Sequence, residues 1–177
     1  MLISKFGTAS RQSIIETCGD VPEELISFLE KYNGGETPET TFSIGNVSSN
    51  IVAFYGIGDV KYSYAQIDKI DHNGHLYLPI AFDSFGNRIA ISLQDGKIVF
   101  QNHEKESDLV FLCQNLGEFI NRVESKKISP KHLRTIKERE EDFIRRGKGN
   151  SISDALRSMW QSEIDKFSGY HQEPVAL

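Results

Sequence analysis

The segment Asp20-Val21-Pro22-Glu23-Glu24, answered one helix length later by Asn33-Gly34-Gly35, constrains this chain more than any other feature. Proline presets φ for a first helical turn and lacks the N–H that such a turn leaves unpaired. Two carboxylates behind it favour the positive N-terminal end. Leu25, Phe28, Leu29 and Tyr32 then recur at helical spacing, and Asn33-Gly34-Gly35 supplies residues that tolerate the positive φ of a helix end. A helix is therefore expected over about 22–32. A shorter one over 11–18, with Ile14, Ile15 and Cys18 on one side, precedes it.

Beyond Gly35 the pattern changes to β-branched and aromatic runs separated by Gly, Asn and Asp. Strands are expected over 40–44, 51–55, 80–82, 88–93 and 98–101. Gln94-Asp95-Gly96-Lys97 joins the last two through Asp-Gly, a dipeptide suited to a hairpin turn, and Asp83-Ser84-Phe85-Gly86-Asn87 is a longer connection of the same kind. Tyr64, Ile67 and Ile70 place a short helix between the second and third strands. Asp108 fits as N-cap of a closing helix whose stripe runs through Phe111, Leu112, Leu116, Phe119, Ile120 and Val123. Helices and strands without βαβ alternation predict an α+β fold, a mainly antiparallel sheet packed against helices.

Residues 125–177 read as a C-terminal helical extension appended to an α+β domain over 1–124. Ser129-Pro130 starts one helix, which runs to about Arg146; Gly147-Lys148-Gly149-Asn150 breaks it. A second begins near Ser151 or Ser153 and carries Leu156, Met159, Trp160, Ile164 and Phe167 on one side. Such a thin stripe must dock on the body, on another copy or on a partner. Met159, Trp160 and Phe167 are the candidates for self-association into a homodimer.

Charge divides along the same boundary. Residues 1–124 hold 9 Lys+Arg against 17 Asp+Glu, a net −8, whereas 125–177 hold 11 against 8, a net +3. An acidic body repels phosphate backbones and attracts basic proteins, so direct nucleic-acid binding by it is disfavoured. The basic stretch 126–148 lacks interleaved aromatic residues for stacking bases, and contact with the chain's own body or another subunit suits it better. The apolar runs fall far short of the ~20 residues that span a bilayer. With two cysteines and no apolar leader, a reduced, cytoplasmic protein without a membrane segment is expected.

Constellations for chemistry are thin. Gly56-Ile57-Gly58-Asp59 lacks the third glycine and the Lys-Ser/Thr pair of a phosphate loop and reads as a turn. His72-Asn73-Gly74-His75 is better suited to a turn than to a metal, and neither a metal nor a cofactor is expected. Cys18 and Cys113 lie on apolar faces of expected helices, as buried hydrophobes do. Glu23-Glu24 and Glu140-Glu141-Asp142 read as solvated surface charge, with Asp142 and Arg146 paired at i,i+4. Nothing here demands an enzyme.

The ordered signals do resemble a family. Val21-Pro22-Glu23-Glu24-Leu25 through Tyr32-Asn33-Gly34-Gly35 is similar to the opening of the SUKH superfamily, the Smi/Knr-type proteins. Phe54-Tyr55-Gly56, Leu78-Pro79-Ile80-Ala81-Phe82-Asp83 with Gly86-Asn87, Ile91-Ser92-Leu93 and Val99-Phe100-Gln101-Asn102-His103-Glu104 resemble its later blocks in the same order. The match departs at Gln101-Asn102, where tryptophan or aspartate is common, and covers about residues 10–124.

The resemblance implies a non-catalytic protein-binding module. In its bacterial form this is an immunity protein that occludes the active site of a cognate polymorphic toxin, a basic nuclease above all. The alternative is a scaffold or regulatory domain like the fungal members that act in cell-wall synthesis. Acids near the sheet edge and loops are the candidate contacts: Glu36, Glu39, Asp59, Asp83, Asp95 and Glu104, together with His103.

Overall fold

The computed structural model describes residues 1–105 and 108–177, and its fold is α+β. The chain opens with β1 (Leu2–Lys5), then α1 (Arg11–Cys18), capped by Ser10 Oγ accepting from the Ser13 N–H, and α2 (Glu23–Tyr32), with Pro22 at its N-cap. Five strands follow: β2 (Gly35–Glu36), β3 (Thr40–Ile44), β4 (Val47–Asn50), β5 (Ala53–Phe54) and, after a single 3-10 turn over Tyr64–Gln66, β6 (Ile70–His72). The meander β7 (His75–Phe82), β8 (Arg88–Ser92), β9 (Ile98–Gln101) continues into β10 (Leu109–Cys113), α3 (Leu116–Arg122) and β11 (Val123–Ser125). After α4 (Ile136–Arg145) and α5 (Asp154–Ser168) comes β12 (Glu173–Pro174).

Among the described residues the main sheet has nine strands in the order β10-β9-β8-β7-β5-β2-β1-β12, with β6 pairing β7 off this path. A second sheet runs β11-β3-β4, and every strand pair is antiparallel. Alternation along β8 explains the layers. Ile89 and Ile91 join the large core with Leu25, Phe28 and Leu29 of α2 and Phe119 of α3, whereas Ala90 faces the other way, onto Ile70 and Val99.

The junction of α2 with the sheet is the tightest place in the molecule. Asn33 ends α2 in the left-handed region at φ 46, and its side chain bonds the Ile57 backbone twice, Oδ1 accepting from N at 2.7 Å and Nδ2 donating to O at 3.1 Å. Gly34 has φ 72, and a Cβ there would lie 2.4 Å from the Tyr55 carbonyl oxygen; one on Gly56 would lie 2.2 Å from that of Asn33. Only glycine lets the two backbones come this close.

Several expectations need correction. Leu109–Cys113 is a strand, and the closing helix starts only at Leu116, so Cys113 lies in β10 and not on a helix. Apolar content alone suited either structure; pairing of Val110 with Phe100 and Phe111 with Val99 decides for the strand. Ile15 points outward, 44% exposed, while Ile14 and Cys18 are buried. Glu24 is exposed as expected, but it also has a structural partner: its Oε2 accepts the Leu116 N–H at 2.9 Å and so caps α3 from another helix. The expected helix from Ser129 is instead a 3-10 turn, Pro130–Leu133, after which α4 restarts through a Thr135–Glu138 capping box.

The chain divides into two compact units, residues 1–126 with 172–177, and residues 127–171. The last six residues thus belong to the first unit. Glu173 and Pro174 pair with Ile3 and Leu2, Val175 N donates to Met1 O at 3.0 Å, and Ala176 N donates to the Tyr32 hydroxyl at 2.9 Å. In the second unit Trp160 packs edge-on against Phe143 at 5.0 Å. Arg139 holds the 3-10 turn by donating to the carbonyls of His132 and Arg134, and pairs with Glu163 of α5 at 2.7 Å. Among the described residues no helix is long and apolar enough to cross a membrane.

Gly34→Ala should lower stability by about 3 kcal/mol, through backbone overlap added to the strain of positive φ. Gly45→Ala, at φ 58 but facing open space, should cost only about 1 kcal/mol. The urea midpoints of the two variants measure the difference.

Candidate partner-binding site

Three of the seven candidate contacts, Asp83, His103 and Glu104, meet at one end of the meander, because an antiparallel register sends alternate connections to the same end. Arg88 pairs with both Phe82 and Gln101, so the β7–β8 turn (residues 83–87) and the exit of β9 (residues 102–105) are neighbours. Glu36 lies in the same row, opposite Ala53, which pairs in turn with Phe82.

Asp83 organises this corner, though not as an exposed acid: it is 2% exposed. Its Oδ1 accepts the N–H groups of Phe85 and Asn87, both at 2.9 Å; Oδ2 accepts Ser49 Oγ at 2.6 Å and Asn87 Nδ2 at 2.7 Å. Four donors offset the burial of the charge, and a carboxylate at the first position of such a turn is favoured for this reason. That need for internal donors is why this acid turns inward.

Asn87 carries the order onward. Its Nδ2 faces the carboxylate, so its Oδ1 is the acceptor for the His103 N–H at 3.0 Å and for His103 Nδ1 at 2.8 Å. The Nδ1 atom therefore bears a proton, and in the neutral ring Nε2 is an acceptor. Asn50 Oδ1 adds a tie from β4, accepting Ser84 N at 3.2 Å and Ser84 Oγ at 3.0 Å. His103 and Glu104 are exposed beside this pinned turn, and at its tip Phe85 is 70% exposed. Sequence reasoning passed over Phe85. Its signal was an aromatic residue inside a run of Asp, Ser, Gly and Asn, where a turn needs none.

The remaining candidates lie elsewhere. Asp95 sits at the tip of the β8–β9 hairpin, at the other end of these strands. There Lys97 at 2.7 Å, helped by Ser92, holds its carboxyl down at about 2. Asp59 is exposed in the connection between β5 and β6. Glu39 is exposed at φ 56, its carbonyl accepting the Lys126 N–H at 3.0 Å. Glu36 is partly buried and paired with Lys61 at 2.6 Å. The self-association stripe is divided: Trp160 is buried, Phe167 stacks on the His132 ring at 4.5 Å, and Met159 alone stands out at 58% exposure. The indole turns inward because it is the largest apolar group α5 has to bury.

Burial pushes the Cys18 thiol up to about 11 and raises Cys113 as well, so both stay protonated and weakly nucleophilic. His72 and His75 close the β6–β7 hairpin over Asn73 and Gly74, both at positive φ. Among the described residues no group of three or more His, Cys, Asp or Glu could hold a metal ion. A pinned turn with polar and aromatic groups facing outward is suited to gripping another surface.

A family model described as the SMI1 / KNR4 family (SUKH-1) matches residues 16–122, more than half of the chain. The match takes in the α2 junction, the meander, the corner described above and α3. A comparison with curated proteins gave no match.

Asp83→Ala should destabilise the fold by about 3 kcal/mol, since it strands buried donors. Asp95→Ala should cost under about 1 kcal/mol, as an exposed pair does. Because the Asp95 pKa is depressed from 3.8 to about 2, its contribution is present above pH 3.8 and lost as pH falls through 2. Denaturant titrations of both variants at pH 7 and pH 2 test these differences.

Proposed function

We propose that this chain, which belongs to the SMI1/KNR4 family (SUKH-1), is an immunity protein that binds and neutralises a cognate polymorphic toxin. Members of the family are typically non-catalytic immunity proteins of such systems. The single observation that carries the finer reading is the charge of the family domain, net −8 over residues 1–124.

An enzyme that cleaves nucleic acid needs a cationic groove for its substrate. A body of opposite charge is drawn to that groove over several ångströms of solvent, which raises the encounter rate. Once docked, exposed carboxylates such as Glu39, Asp59 and Glu104 take the places of phosphates, and the groove is closed to substrate by occupation. The corner carboxylate is committed to its turn by four internal donors, which suits a surface that binds. An interface of about 800 Å² per partner is of ordinary size for such a complex.

Co-expression with the toxin-like product of the neighbouring gene should restore growth and give a complex that co-purifies. The association rate should fall steeply between 50 and 200 mM salt, by roughly tenfold or more. Neither rescue nor complex would remove this reading.

A further inference from the structure

The 83–87 turn holds an aromatic side chain that the fold does not use. Phe85 is 70% exposed, the most of any large apolar residue described. Its backbone N–H bonds Asp83 Oδ1 at 2.9 Å, a bond that any residue except proline would supply. Among the described residues its ring stacks on no other. Leaving a phenyl group in water forgoes the burial that drives folding.

The backbone beneath it is fixed on both sides. Ser84 is tied to Asn50, Phe85 and Asn87 to the buried Asp83 carboxylate, and Asn87 to His103. Gly86 adopts φ 88, and its Cα faces the His103 ring, so a Cβ there would lie 3.9 Å from Cγ. A side chain presented on so constrained a turn loses little freedom when it enters a pocket, which is the condition under which an exposed aromatic group yields most affinity.

We infer that Phe85 is the anchor by which this chain holds its protein partner. The phenyl ring enters an apolar pocket on a basic toxin, and Lys or Arg side chains at the lip of that pocket meet the Glu104 carboxylate beside the His103 ring. The inference rests on the immunity reading above and adds the point of attachment. The acidic body accelerates approach, while this corner sets how long the complex lasts. Other exposed apolar side chains fit this role less well. Phe111, 51% exposed on β10, lies along an edge strand that a register shift between Phe111 and Cys113 makes irregular.

The test measures binding of the full chain to the purified toxin domain of the neighbouring gene product by surface-immobilised kinetics. Phe85→Ala should weaken affinity by about 30-fold or more, mostly through faster dissociation. Phe85→Trp should stay within about tenfold of the parent, and Ile15→Ala, at an exposed apolar residue of α1 outside the candidate contacts, within about threefold. The thermal midpoint of Phe85→Ala should be unchanged or higher, separating binding from folding. If the parent binds and protects while Phe85→Ala binds within threefold of it, the anchor is overturned and the immunity reading stands. Loss of binding with Phe111→Ser but not with Phe85→Ala would likewise overturn it, moving the contact to the sheet edge. If the parent chain neither binds nor protects, both readings fall together.

Discussion

Everything in the first unit is positioned by the contact of two backbones, Asn33-Gly34-Gly35 against Tyr55-Gly56-Ile57. The end of α2 passes into β2 with no intervening loop, so the helix axis and the sheet are joined within three residues. Gly35 then pairs with Phe54 on one side and with Lys5 on the other, which places β2 between β5 and β1. Because β5 pairs with β7, the same junction fixes the meander relative to the helices that cover it. The two sequence signals at this junction, Asn-Gly-Gly and the glycine after Phe54-Tyr55, therefore describe one contact seen from its two strands. A side chain at either glycine would have to push the helix off the sheet.

The parts of this fold that were legible in the sequence are those whose signal is local. Pro22 and the serines near 151–153 open helices by chemistry within a few residues, and Asp-Gly turns the β8–β9 hairpin whatever lies beyond it. The parts missed are those decided by a distant partner. β1 and β12 are short segments that become strands only by pairing with each other and with β2. The apolar run of β10 suited a helix until the edge of β9 was available. At the candidate site the same division holds. The acid at 83 was legible as a turn residue, but its burial depends on Ser49 from another sheet, and the exposure of Phe85 depends on what fails to cover it.

The second unit shows how a basic segment can be electrostatically occupied with itself. Asp142 is buried and receives Arg145 and Arg146, the latter at 2.8 Å, and the guanidinium groups hold its carboxyl below the ordinary range. Arg157 bridges Glu140 and Asp154, and Arg139 meets Glu163. These pairs absorb much of the positive charge that the sequence displays as a continuous stretch. The return of residues 172–177 to β1 changes the meaning of the segment as well. Residues 127–171 are an excursion held at both ends by the first unit, where Gln172 Nε2 donates to the Lys126 carbonyl at 3.1 Å.

Attraction and grip make different demands on a surface, and this chain meets them in different ways. Long-range attraction depends on net charge and tolerates rearrangement of individual acids, so the candidates can be scattered over a loop, a strand and a hairpin tip without loss. Grip depends on a few groups held still. The buried carboxylate serves order within the turn: Asp83 fixes Phe85 and, through Asn87, His103. The scattered acids and the ordered turn are therefore separate features of the first unit: the charge of Glu39, Asp59 or Glu104 can change without loosening residues 83–87, whose order rests on Asp83, Asn50 and Asn87.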